Sequence, residues 1–306
     1  MNKISVAIPS IGRETLSATL RSLSRQTMAP HEIIVVNQGP PEVEQREKWE
    51  MPVRWLHQDI KGLSRARNHA MSSFTGDWIL FTDDDQEVNA EWVEQLSLLI
   101  DAYPDVSMFG GVYFPPIRHD FDASFVSQFY AHGEVLISRE NYLLGNVVPN
   151  VQNDIWGGNF ALSRACIDKI GFYEEAMGRG SNAFSAGEDT DYMMRVISAG
   201  MLGLLSCRLI IYHTYGARPY SASLEDEIIE SAAVLHWKSR QPGSPLDPQL
   251  LERMVPFGKK KAALARLSGG KLFADQARRK AIFEKTTETL DREWKLEAGY
   301  LKRKEG

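Results

Sequence analysis

"GDWILFTDDD", residues 76–85, sets an apolar run directly before three adjacent carboxylates, Asp83, Asp84 and Asp85. The run reads as a buried strand, and a buried strand that ends on three like charges needs something positive beside them. A lone Asp there would be a turn or helix-cap residue. Three in succession, with Asp83 and Asp85 facing the same way, point to a hard divalent cation, Mg²⁺ or Mn²⁺. Such an ion takes one or two carboxylates and completes its shell with water and phosphate oxygens.

Working outward, "KISVAIP" and "HEIIVVNQG" are β-rich runs separated by a segment with Leu16, Leu20 and Leu23 at helical spacing. "VRWLHQ" predicts a third strand, "GLSRARNHAMSSF" a helix, and "AEWVEQLSLLIDAY" a helix after the aspartates. Strands alternating with helices predict a mostly parallel sheet covered on both faces, with ligands bound beyond the carboxyl ends of its strands. The turns at Pro9 to Arg13 and Asn37 to Gly39 should therefore meet the aspartates in one crevice. Residues 115 to 152 read as a long excursion, "IWGGNFALSR" as a strand, "GEDTDYMMRVISAG" as a helix and "LGLLSCRLIIYHTY" as a closing strand. The rest has little β signal and predicts helices, which places a boundary near Ala217: an α/β domain over 1–217 and a helical extension over 218–306.

The 306 residues carry a formal net charge of −5, but unevenly. From His236 onward 17 Lys or Arg face 9 Asp or Glu, a net of +8, leaving −13 for residues 1 to 235. Clusters such as "FGKKKAALARL" and "ARRKAIF" mix cations with apolar residues, so a peripheral membrane contact through these helices and an oligomer interface both stay open. No run reaches the ~18 apolar residues of a membrane span. "MNKISVAIPS" alternates like a strand and not like a signal peptide, and the two cysteines, Cys166 and Cys207, lack metal-ligand spacing. A cytoplasmic protein with reduced cysteines is expected, and no nucleic-acid partner.

Taken in order, "VAIPSIGR", "QTMAPHEIIVVNQG", "KGLSRARNHA", "GDWILFTDDD", "WGGNFALSR", "GEDTDYMMRVISAG" and "IIYHTY" resemble the GT-A fold glycosyltransferases of family 2 across residues 3 to 215. The resemblance implies a Rossmann-like GT-A sheet and transfer of a sugar, with inversion, from a nucleotide diphosphate donor to an acceptor hydroxyl. It makes Asp83 to Asp85 the DxD motif, with Asp83 on the ribose or hydrated metal, Asp84 beside it and Asp85 on the metal; His213 would be a further metal or diphosphate ligand. Pro9, Arg13, Arg65 and Arg67 would line the nucleotide. Glu188 and Asp189 resemble the ED motif, Asp189 as base and Glu188 as its neighbour in acceptor positioning. Trp156, Gly157, Gly158 and Asn159 resemble the segment that meets donor sugar or acceptor.

Plainer readings stand beside these. Acids at a helix start complement its dipole, paired glycines make a bulge, a Trp fills a core, and helix arginines are solvated. The chain also departs from the family in carrying Asn37 where relatives usually have Asp. An amide offers one donor and one acceptor, the complement of uracil or thymine, which favours a UDP or dTDP donor. The acceptor would be a glycan or a lipid-linked glycan, in bacterial-type polysaccharide or glycoconjugate synthesis. Two rival functions remain: a sugar nucleotidyltransferase, for which "PSIGRE" is poor in glycine and cations, and a non-catalytic sugar-nucleotide or glycan-binding module.

Overall fold

The computed structural model describes residues 2–45, 48–49, 51–114, 133–144, 157–213, 222–252 and 274–304. Its centre is a nine-stranded sheet. Strands β1 (Ile4–Ser10), β2 (Glu32–Asn37), β3 (Val53–His57) and β4 (Trp78–Thr82) are mutually parallel in the order β3-β2-β1-β4. β8 (Asn159–Ser163) then runs antiparallel between β4 and β6 (Val106–Phe114), and β9 (Leu202–His213) lies parallel to β6. Two short strands, β5 (Gln86–Val88) and β7 (Glu134–Ile137), pair antiparallel with β9. The mostly parallel sheet and its βαβ start agree with the sequence; the reversed β8 splits the parallel run in two.

The strands alternate as a two-sided sheet requires. Val6, Ile8, Val35 and Leu80 pack on one face against α1 (Leu16–Leu23) and α3 (Trp92–Ala102). Ala7, Ile34, Val36, Ile79 and Phe81 point to the other face, which carries α2 (Leu63–Ser73), α5 (Arg164–Ile170) and α6 (Glu188–Ser198); the short α4 (Arg139–Leu144) adds Tyr142 and Leu143 at the edge of that cluster.

The C-terminal residues join that second face. Val234, Leu235 and Trp237 of α7 (Ala222–Ser239), Leu250 and Leu251 of α8 (Pro248–Leu251), and Leu290 of α9 (Ala274–Glu293) belong to the same apolar cluster as Ala7 and Phe81. Full burial of each such side chain contributes about 1.5–3 kcal/mol. The boundary expected at Ala217 lies outside the described residues, as do Trp156 and "FGKKKAALARL". Two expectations for this region need correction. It is not wholly helical: β10 (Trp294–Glu297) and β11 (Tyr300–Arg303) form an antiparallel hairpin. Nor does "ARRKAIF" present a free basic face, because Arg278 and Arg279 pair with acids of α7 while Ile282 and Phe283 pack on Ile229 and Ala233. Among the described residues no helix is long and apolar enough to cross a membrane.

Candidate active site

The ends of β1, β4 and β9 meet at one crevice of about 410 Å³, lined by Pro9, Arg13, Asp83 to Asp85 and His213. Asp84 turns inward, 4% exposed, and accepts hydrogen bonds from Ser10 Oγ (2.7 Å), the Ile11 N–H (3.2 Å) and Arg13 Nη1 (3.2 Å). It fastens the β4 end to the loop after β1, so of the three aspartates expected to form the DxD motif this one faces inward and not the nucleotide. Asp83 and Asp85 flank it and stay accessible. Asp85 lies 2.5 Å from Arg13 Nη1 and 3.9 Å from His213 Nε2. The reason is register: β5 follows the aspartates directly and pairs with the end of β9, so Gln86 stands opposite His213. Two residues far apart in sequence thus come together as expected.

Arg67 sits beneath the crevice, 1% exposed and enclosed by acids. Its guanidinium is 2.6 Å from Asp189, 3.3 Å from Glu188 and 3.9 Å from Asp83, and it lies over the rings of Phe160 and Tyr173. So buried a side chain does not reach out to a nucleotide; it joins the aspartate loop to the start of α6. Burial raises the Asp83 carboxyl to about 6, with Asp85 and Asp84 adding to the shift against Arg67. Burial and the neighbouring Asp189 likewise push Glu188 up to about 7. Glu188 is 6% exposed, whereas the Asp189 side chain keeps 23% of its surface and is the accessible member of the pair.

The glycine pair has a steric cause. A Cβ on Gly157 would stand 2.3 Å from Asp189 Oδ1, and one on Gly158 would stand 2.6 Å from Asp83 Oδ2. Bare backbone is needed for the start of β8 to press against both carboxylates, and the Gly157 N–H donates to Asp189 Oδ2 at 2.9 Å. Asn159 differs from the expectation. It is fully buried, its amide donates to the carbonyls of Val112 and Leu209, and its oxygen accepts from the Trp92 indole. It ties β6, β9 and α3 together and does not touch an acceptor.

Asn37 is a second correction. Its amide nitrogen donates to the Pro40 carbonyl at 3.0 Å and its oxygen accepts from the Gly39 N–H at 2.8 Å, so the side chain closes its own turn, 1% exposed. Arg65 turns away from the aspartates, pairs with Glu175 at 2.8 Å and lines a separate groove of about 1010 Å³ between α2 and the C-terminal hairpin. Sequence reasoning missed two cations of the crevice, Lys61 and Arg179. Lys61 stands in "KGLSRARNHA", just before α2; Arg179 sits in a glycine-flanked loop with no periodic pattern to mark it.

The donor set suits a hard cation. Asp83 and Asp85 offer carboxylate oxygens, burial and then the neighbouring Asp85 and Asp84 work against an ionised Asp83, and Arg13 already pairs with Asp85. Among the described residues no group of three or more His, Cys, Asp or Glu side chains is placed to hold a metal ion, so an ion here would rest on one or two carboxylates.

Comparison with known proteins agrees with this layout. The family model for glycosyl transferase family 2 matches residues 5–171. An uncharacterized glycosyltransferase of Haemophilus influenzae is 25% identical over 63% of this chain and 62% of its own length. A glucosyl-dolichyl phosphate glucuronosyltransferase of Haloferax volcanii is 26% identical over 54% of this chain and 53% of its own. The matches thus span little more than half the length of these relatives. Among solved structures, S. aureus TarS 1-349 in complex with UDP superposes with a TM-score of 0.60 at 12% identity, covering 99% of this chain and 96% of that one. The mannosyltransferase PcManGT from Pyrobaculum calidifontis, in complex with GDP-Man and Mn2+, gives a TM-score of 0.58 at 15% identity, covering 94% of this chain and 86% of that one. These likenesses show a common GT-A fold. With a family model laid over more than half of its residues, the chain belongs to glycosyl transferase family 2.

Proposed function

We propose that the protein is an inverting glycosyltransferase, moving a sugar from a nucleoside diphosphate sugar to an acceptor hydroxyl. The observation that carries this reading is Arg67, whose guanidinium reaches Asp189, Glu188 and Asp83 within 2.6, 3.3 and 3.9 Å. One guanidinium thereby joins a carboxylate of the crevice to a candidate proton acceptor at the start of α6.

Asp83 and Asp85 would hold Mn²⁺ or Mg²⁺, with His213 beside Asp85, and as a Lewis acid the ion would offset the charge gathering on a departing nucleoside diphosphate. Arg13, Lys61 and Arg179 line the same crevice and supply positive charge for that diphosphate. Asp189 is the base for the acceptor hydroxyl, oriented by Arg67 and the Gly157 N–H. Gly157 and Gly158 let the backbone approach donor sugar and acceptor. Asn37 gives no ground for preferring uracil or thymine, because both ends of its amide are engaged.

The acceptor we favour is a glycan or lipid-linked glycan. A sugar nucleotidyltransferase is disfavoured by the β1 loop, where Gly12 is alone and no glycine-rich triphosphate loop follows. A non-catalytic binding module would have no use for Asp189 beside the aspartate loop. Purified protein with Mn²⁺, screened against a panel of nucleotide sugars for nucleoside diphosphate release, tests the proposal. Release from one or a few donors, lost in Asp189→Asn, is the expected result. Binding without release from any donor would leave the binding module as the correct reading.

A further inference from the structure

Behind the crevice, on the C-terminal side of the molecule, four charged side chains form a sealed cluster. Lys238 of α7 is 0% exposed and donates to Asp191 Oδ1 at 2.8 Å and to Glu174 Oε2 at 3.2 Å. Asp191 Oδ2 accepts from Arg195 Nε at 2.8 Å, and the remaining Arg195 N–H groups reach the carbonyls of Ile170 and Phe172. Glu174 Oε2 also accepts from the Leu301 N–H of the hairpin at 2.7 Å. Burial works against an ionised Asp191, but Lys238 and Arg195 outweigh it and hold its carboxyl below the ordinary value.

A buried ion cluster contributes little to stability over an apolar core of the same shape, so what it adds is placement. Its position says what is placed. Asp191 stands in the first turn of α6, whose first two residues are Glu188 and Asp189. Successive residues of a helix point about 100° apart, so a rotation of α6 by one residue would swing Asp189 away from Arg67 and the Gly157 N–H. Glu174 stands at the other end of the loop that leads into α6, which bends at Gly178, Gly180 and Gly187, all with positive φ, while Arg179 within it is held separately by Glu227 of α7 at 2.8 Å. One lysine therefore holds both ends of that loop. α7 also abuts the helix start directly, since a Cβ on Gly187 would stand 2.6 Å from Ser231 Cβ.

We infer that Lys238 is a positioning residue: by binding Asp191 and Glu174 it fixes the rotation of α6, and so the aim of Asp189 and Glu188, making the C-terminal region part of the active site. The inference rests on the reading of Asp189 as the base. Lys238→Met combined with Glu174→Gln removes the anchor while keeping the cluster neutral. In this variant we expect a cooperative melt and UDP affinity in Mn²⁺ within about threefold of the parent. We expect kcat to fall by ~10²-fold at little-changed donor KM, the cost of misplacing a reacting group by about an ångström. Amide hydrogen exchange over residues 188–192 should quicken roughly tenfold while β1 to β4 keep their protection.

Unchanged exchange at 188–192, or exchange that quickens evenly across the sheet, would overturn the claim. So would a donor KM that rises in step with any loss of kcat. If the double variant does not fold, Lys238→Gln with Asp191→Asn carries the same measurements, and failure of both to fold would make Lys238 a folding residue and not a positioning one. Should the parent release no nucleoside diphosphate from any donor, the glycosyl-transfer reading fails, while the exchange measurement still judges the placement of α6.

Discussion

Two charged clusters lie on either side of the first turn of α6, and they are built to opposite rules. At the crevice, Asp83, Asp84, Asp85, Glu188 and Asp189 are met by Arg13 and Arg67, with His213 alongside. Behind it, Glu174 and Asp191 are matched one for one by Lys238 and Arg195, with every side chain within 3% of full burial. The first cluster leaves Asp83 and Asp85 partly open to solvent; the second is neutral and closed. Carboxylates gathered at an accessible crevice can take a cationic ligand, whereas compensated charge in a core sets geometry.

The largest effect should come from the open cluster. Asp85→Ala should abolish sugar transfer and leave the fold intact, checked by nucleoside diphosphate release and circular dichroism; full turnover in this variant would break the assignment of the crevice. Next comes a pair two residues apart. Asp189→Asn should lower turnover by ~10² to 10⁴ while donor affinity survives. Asp191→Asn, in contrast, should cost about 3–5 kcal/mol of unfolding free energy, because Lys238 loses a buried partner. Equal losses of stability in the two variants would erase the contrast.

A smaller effect follows from Glu188. Its carboxyl rises from the ordinary 4.5 to about 7 in the fold, so between those values the folded protein holds a proton that the unfolded chain has released. Stability of the metal-free protein should therefore decline as pH climbs through that window. Glu188→Gln should flatten the decline in melting temperature between pH 5 and pH 8. The smallest expected effect is none: Asn37→Asp should leave the ratio of UDP to GDP affinity unchanged, since the residue only closes its turn.

The open cluster was legible in sequence because its residues are adjacent. Three aspartates behind "DWILF" and a Glu-Asp pair at a helix start announce themselves without any partner. The mostly parallel sheet and the crevice followed from alternation of β-rich and helical runs; the strand order, with β8 reversed, did not. What stayed hidden depends on contacts between distant segments. Lys238 and Glu174 read as ordinary surface charges, and nothing local shows that α7 lays one beside the other. Asn37 and Asn159 look like ligand contacts from their positions, but hydrogen bonds to Pro40 and to Val112 and Leu209 engage their amides. The hairpin at residues 294–303 escaped because its turn is Ala298-Gly299 and lacks the Asn-Gly or Asp-Gly signal, with Ala298 itself at a φ of 50°.

The account turns on the crevice being a cation-dependent nucleotide site. Calorimetric titration of UDP and GDP into the protein, with Mn²⁺ and after its removal by chelation, tests this most directly. The prediction is binding of at least one diphosphate in Mn²⁺ and a loss of tenfold or more without it, on the order of 1.4 kcal/mol. Binding of equal strength with and without the ion would contradict the account.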